Sequence, residues 1–337
     1  MPELSLGQAV DRAIEDAMAR DERIVLIGED APLLRAPLFA RFGAERVIAA
    51  PISELAFFGA AAGAAMAGLR PIVELYMVDF IAVAYDAVLN HIAKLERFSG
   101  GNWRAPLVVR APSGAGYGDG GQHGQSLWGS LASIPGLAVV VPSTPADAYG
   151  LMTAALNHDG PVIFLEPKLL SEECLEFLGR CGRETVRFDV PAAGARGEVS
   201  ETAAPTPFGQ AIVRREGSDV TIVSVAVGVH RALEAAAFLD GHGISCEVID
   251  LRSLRPLDSE AVVASVGRTG RLLVVDEDYR EFGLSGELAA ITLEAGLSPR
   301  FARVCVEDTL PYARNLEASA LPNAERIADA AKLLVGG

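Results

Sequence analysis

Short runs of continuously apolar residues alternate with helix-like stretches along most of this chain. That rhythm restricts the fold more than any other feature. Residues 23–28 read as a buried strand, as do 71–76, 106–110, 137–141 and 161–165. Helical stretches lie at 54–67, 79–97 and 146–157. An earlier helix opens on a capping box, Ser5-Leu6-Gly7-Gln8, and then repeats Leu6, Val10, Ile14 and Met18 every four residues. Strands apolar on both faces and separated by helices predict an α/β fold with a parallel sheet covered on both sides.

The rhythm stops between Ser171 and Pro207, where 192–197 and 203–207 have the Ala, Gly and Pro composition of a linker. It resumes with strands at 220–225, 246–251, 271–275 and 303–306 and helices at 231–239 and 259–266. The 337 residues therefore divide into two doubly wound α/β domains, 1–190 and a smaller 207–337, joined by a linker at 191–206.

A net charge of -15 argues against nucleic acid and anionic membranes as partners, and its plainest reading is solubility. Cys174, Cys181, Cys246 and Cys305 form no C-x-x-C pair and have no His at ligand spacing. That argues against a zinc site and fits the reduced thiols of a cytoplasmic protein. Met1-Pro2-Glu3-Leu4 starts no apolar run, so no signal peptide is expected. The most apolar stretch, 55–69, falls short of the roughly 20 residues that a membrane span needs.

Two places carry chemistry. The first is Pro51-Ile52-Ser53-Glu54, which leads into the small-residue run 59–68 and then Leu69-Arg70-Pro71. Small residues let another backbone or a flat ligand approach closely. Glu54 at their head is either a helix cap or a proton-handling group in a crowded, dry interface. The second is the glycine loop 113–122, which ends at His123. It follows a strand, where ligands bind in open parallel sheets. Gly116, Gly118 and Gly121 fit G-x-G-x-x-G, but no strand–turn–helix unit and no later acid support a dinucleotide site. Gly118-Asp119-Gly120 imitates the start of a thiamine diphosphate–magnesium motif but lacks the Asn that must follow.

A His on a polar glycine loop points to function more than one on an apolar face. His91 reads as a core or interface residue within a helix. For His158, His230 and His242, near turns, solvation is the default. Ser113 and Ser126 sit in no nucleophile elbow. Asp276-Glu277-Asp278 reads as a solvated strand end, with cation binding as the sharper alternative.

Taken together, the segments resemble the beta subunits of thiamine diphosphate-dependent 2-oxo acid dehydrogenases. The matches are Gly28-Glu29-Asp30, Pro51-Ile52-Ser53-Glu54, residues 64–71, Ser99-Gly100-Gly101, Gln122-His123, Ile134-Pro135-Gly136-Leu137, residues 142–148, Glu166-Pro167-Lys168, residues 248–252 and Arg255-Pro256-Leu257-Asp258. They run in order through nearly the whole chain.

The resemblance implies that 1–190 is a pyrimidine-binding, transketolase-like domain and 207–337 a transketolase C-terminal-type domain. It implies that Glu54 hydrogen-bonds the aminopyrimidine ring of thiamine diphosphate, with Tyr76 and Phe80 packing around that ring. His123 would position intermediates and assist transfer of the acyl group to lipoamide. Magnesium and the diphosphate would be held mainly by an alpha subunit, in a two-alpha two-beta heterotetramer docked on a lipoyl-bearing acyltransferase core. A potassium ion would bind the backbone carbonyls of Leu107, Ala155 and His158. The substrate would be a 2-oxo acid, pyruvate or branched-chain.

Several residues depart from the pattern. Gly124 stands where the family has Ser, Ser130-Leu131-Ala132-Ser133 where it has aromatics and His, Arg97-Phe98 where it has Tyr-Met, and Val225-Ala226 where it has Tyr-Gly. Tyr76 also replaces a smaller or unbranched residue. Two other readings stand beside this one: half of a split transketolase-type ketol-transfer enzyme, and a non-catalytic assembly subunit.

Overall fold

The computed structural model describes residues 2–200 and 203–336, so Met1, residues 201–202 of the expected linker and Gly337 lie outside the described residues. Its strands are β1 (Glu3–Ser5), β2 (Ile24–Glu29), β3 (Val47–Ala50), β4 (Arg70–Glu74), β5 (Val108–Ser113), β6 (Ala138–Val140), β7 (Val162–Pro167), β8 (Arg196–Glu198), β9 (Ile212–Arg215), β10 (Val220–Ser224), β11 (Cys246–Asp250), β12 (Ser253–Arg255), β13 (Arg271–Tyr279) and β14 (Arg300–Val306). A seven-stranded sheet has the order β12-β6-β7-β5-β4-β2-β3, and a five-stranded sheet the order β14-β13-β10-β11-β9. Every neighbouring pair is parallel except β12 on β6 and β9 on β11, which are antiparallel edges. The α/β expectation is met.

The capping box forms as read. The Ser5 hydroxyl accepts from the Gln8 amide at 3.2 Å, and the Gln8 side chain accepts from the Ser5 amide at 2.9 Å. The helix Leu6–Arg20 then packs its Leu6, Val10, Ile14 and Met18 face, fully buried, on one side of the large sheet. The opposite face of that sheet shares a single core with one face of the small sheet, where Val109, Val139 and Ile163 meet Val223, Ile249 and Val274. Gly28 sits where β2 crowds β4: a β-carbon there would lie 2.3 Å from the Glu74 carbonyl oxygen.

Two expectations need correction. Residues 79–97 are not one helix but a 3₁₀ turn Val78–Ala82, a π-turn Ala87–Ile92 and a short α-helix Leu95–Phe98. Their buried positions keep a helical spacing, so periodicity alone could not separate the three forms. Between 171 and 207, where the rhythm stops, β8 pairs antiparallel with β1 and ties this stretch to the start of the chain. The acids 276–278 lie inside β13, buried. Among the described residues, no helix is long and apolar enough to cross a membrane.

Candidate active site

The carboxyl ends of the parallel strands of the large sheet collect the candidate residues. Glu29 ends β2, Glu54 follows β3, Tyr76 to Phe80 follow β4, the glycine loop follows β5 and Lys168 follows β7. This is where open α/β sheets bind ligands.

Glu54 is the first residue of the helix Glu54–Met66 and is 8% exposed. It is not the cap: Ser53 holds that position and makes no side-chain capping bond. Among the described residues, no hydrogen bond or ion pair reaches the Glu54 carboxylate. Its neighbour Glu29 is held above the ordinary carboxylate range, first by burial and then by the charges of Asp30 and Glu54. Burial, followed by Asp30 and Glu29, likewise raises the Tyr76 phenol. Phe57, Phe58, Ala61 and Ala65 turn into the core, while Leu55, Gly59, Ala60, Gly63 and Met66 are exposed. A β-carbon at Gly59 or Gly63 would meet nothing within 4 Å.

His123 forms a second cluster. Its ring meets Phe80 edge-on, with centroids 5.8 Å apart at 69°. Its Nδ1 lies 3.6 Å from an Asp119 carboxylate oxygen. The Tyr117 hydroxyl donates to the His123 carbonyl at 2.8 Å, and the Lys168 Nζ donates to the same oxygen. Burial raises the Tyr117 phenol far above its usual range, so it serves as a donor. Asp79 accepts from the Gln125 amide at 3.3 Å and from its side chain at 2.9 Å. Thus Phe80 and His123 come together, as do Tyr76 and the Glu54–Glu29 region. No contact among the described residues joins Glu54 to His123.

The second domain holds this loop. Glu317, 2% exposed in the helix Arg314–Ala320, accepts from the amides of Gly116 at 3.1 Å and Gly118 at 2.8 Å. Both glycines have positive φ, +108° and +80°, which turns their N–H groups onto one carboxylate. Tyr279 donates to Gln125 at 3.2 Å. The acids of β13 face the segment just after His123: Asp276 accepts from the Trp128 indole at 2.8 Å, Asp278 from the Gly129 amide at 2.9 Å, and the Glu277 carbonyl from Ser126 at 3.2 Å. They are therefore an interface and not a solvated strand end. Burial raises Asp276 to about 7 and Glu277 to about 8.

The departure at Gly124 has a steric cause, since a β-carbon there would stand 2.9 Å from the Gly120 carbonyl oxygen. His230 is buried and donates its ring Nε2–H to the Ser143 carbonyl at 2.7 Å, and His91 is exposed. Of the expected potassium carbonyls, Leu107 accepts from the Val162 amide, Ala155 from the His158 amide and His158 from Arg70. Each keeps one lone pair.

Sequence reasoning assigned no role to Tyr117, Lys168 or Glu317. Lys168 lay within a quoted motif, but a buried ammonium has no local sequence signal. Behind the site, Arg110 pairs with Asp11 at 2.5 Å and Glu166 at 2.7 Å, and Arg35 with Glu74 at 2.6 Å. This buried network braces β4, β5 and β7 against the first helix.

Two α/β sheets that share one core, each the centre of its own domain, are the architecture of a transketolase-like protein. Residues 2–172 match the family model "Transketolase, pyrimidine binding domain" and residues 209–327 match "Transketolase, C-terminal domain". A solved structure described as a split gene transketolase, inactive beta4 tetramer, shares the fold with a TM-score of 0.77 at 23% identity, covering 99% of this chain and 98% of that one. The chain is 38% identical to a pyruvate dehydrogenase E1 component subunit beta of Rickettsia conorii over 98% of each protein. It is 38% identical to an acetoin:2,6-dichlorophenolindophenol oxidoreductase subunit beta of Cupriavidus necator, over 99% of this chain and 98% of that one. A 2-oxoisovalerate dehydrogenase subunit beta of Bacillus subtilis is 36% identical over 97% of each. The chain belongs to the beta-subunit family of thiamine diphosphate-dependent 2-oxo acid dehydrogenases.

Proposed function

We propose that this chain, with an alpha partner in a two-alpha two-beta heterotetramer, decarboxylates a 2-oxo acid and passes the acyl group to a lipoyl-bearing acyltransferase core. The observation that carries the reading is Glu54: a carboxylate at the strand ends, flanked by an open small-residue helix face, with no hydrogen-bond or ion-pair partner among the described residues. Such a group fits the aminopyrimidine end of thiamine diphosphate. The Gly118-Asp119-Gly120 loop is not open to the diphosphate, since Gly118 and Gly120 pack against Arg314 and Tyr312.

Glu54 would hold the aminopyrimidine, with Tyr76 and Phe80 as ring neighbours. When bound, the cofactor supplies a carbon nucleophile. Glu54 would meet the ring at its carboxylate oxygen, the kind of hydrogen-bond contact that general acid–base work needs. The helix face at Gly59 and Gly63 admits the alpha chain, which closes the site to water. His123, oriented by Asp119, positions the acyl group for transfer. Magnesium belongs with the alpha chain, and potassium with the carbonyls of Leu107, Ala155 and His158. The domain division 1–190, 191–206 and 207–337 goes with this reading.

The test is to purify the chain with its alpha partner and follow 2-oxo acid-dependent reduction of an artificial electron acceptor, with and without thiamine diphosphate. Activity with sugar phosphates alone would sink the proposal. A second reading, cleavage of acetoin, draws on the Cupriavidus relative, and acetoin in the same assay separates the two.

A further inference from the structure

We propose that Lys168 is a positioning residue: its ammonium clamps the main chain of His123 and fixes where that imidazole stands. This rests on the role proposed above for His123 and deepens it.

Lysine is almost never fully buried without a charged partner. Lys168 is 1% exposed, and among the described residues no carboxylate pairs with it within 4 Å. Its Nζ instead donates to the His123 carbonyl oxygen and stands 4.9 Å from the centre of the Tyr117 ring. Tyr117 donates its hydroxyl to that same oxygen at 2.8 Å. One carbonyl thus takes two donors, and the two donors touch each other.

A neutral donor would be enough to satisfy the carbonyl, and Tyr117 already supplies one. The added buried cation costs solvation that a simple brace does not need to lose. What it adds is a charge-assisted bond, stronger and stiffer than the neutral one, on the residue that carries the imidazole. Asp79, Asp119 and Glu317 face the ammonium at longer range, as does the Cys174 thiol. Burial lowers the ammonium to about 8, with those groups opposing the fall. The charged clamp is therefore complete below that pH and is lost above it. The loop keeps its other anchors at Glu317 and Gln125, so removing the cation frees His123 without unfolding the loop.

The experiment uses the holoenzyme, the chain with its alpha partner saturated with thiamine diphosphate and magnesium, and reads acylation of a free lipoyl domain. Lys168→Met should lower kcat about tenfold or more with little change in KM for the lipoyl domain, because a small misplacement acts on the chemical step. Lys168→Arg should recover most of the rate. Wild-type kcat should decline as pH rises through about 8, whereas Lys168→Arg should hold to higher pH because guanidinium stays protonated.

The proposal is overturned if Lys168→Met transfers at the wild-type rate while His123→Ala is slow, or if Lys168→Arg shows the wild-type alkaline limb. If His123→Ala itself transfers normally, the reading beneath it falls, and this proposal with it. A crystal structure of the Lys168→Met holoenzyme decides independently of turnover. Imidazole rotamers that have shifted or multiplied support the clamp, and one unmoved rotamer overturns it.

Discussion

Glu54 and His123 stand at the carboxyl ends of strands of the same sheet, yet the chain treats them in opposite ways. Around His123 it supplies every anchor: Tyr117 and Lys168 on its carbonyl, Asp119 and Phe80 at its ring, and Glu317 and Tyr279 reaching across from the second domain. Around Glu54 the described residues supply no hydrogen-bond partner, and the helix face beside it is open. A carboxylate 8% exposed that no described residue bonds is open to a partner from outside. On the function proposed above, that difference divides the site into a half this chain completes alone and a half met by a cofactor and a second subunit.

The sharpest way to break that comparison is Glu54→Gln. It should lower turnover of the assembled enzyme by about 10²-fold or more, the range of general acid–base groups, while circular dichroism and melting of the chain stay unchanged. Near wild-type turnover would remove Glu54 from the outward-facing half. At His123 the opposite signature is expected, because its anchors are internal. Glu317→Ala strands the Gly116 and Gly118 amides and should cost about 1–3 kcal/mol, read as a lower melting temperature even without the alpha partner. An unchanged melting temperature would show that the loop does not depend on the second domain.

Gly124→Ser, which restores the family's usual residue, should destabilise by a similar or smaller amount, about 1–2 kcal/mol. Its β-carbon would stand 2.9 Å from the Gly120 carbonyl oxygen. A gain in stability would contradict the steric reading of that departure.

The smallest effect concerns pH. Asp276 and Glu277 are raised by burial from 3.8 and 4.5 to about 7 and about 8, so the folded state keeps protons that the unfolded chain has released. Their contribution is complete below the ordinary carboxylate range and is lost as pH rises through those values. Denaturant stability should therefore fall as pH rises from about 4 to about 8, by at most about 1.4 kcal/mol per pH unit for each acid, and Asp276→Asn should flatten the slope. Lys168 works in the other direction and above that window: its lowered value returns stability only as pH rises beyond about 8. A flat profile in the unmodified chain would mean that the acids are not buried together with Trp128 and Gly129.

The alternation of apolar strands and helices, the capping box at Ser5, the placing of Glu54 before a small-residue helix and the glycine loop ending at His123 were all legible in the sequence. Each is written in residues a few positions apart, within reach of local periodicity and turn chemistry. The broken form of residues 78–98 was not, because the same apolar spacing serves α, 3₁₀ and π turns. Nor was the grip on His123. Lys168 lies 45 positions from it, and Glu317 lies 201 positions from Gly116. Asp276 meets Trp128 across 148 positions. No local period encodes such meetings. They exist because two sheets share one core and bring the end of the chain onto the loop of the first domain. Sequence alone thus determined which residues could do chemistry, and the tertiary structure decided which of them are held by contacts from distant parts of the chain.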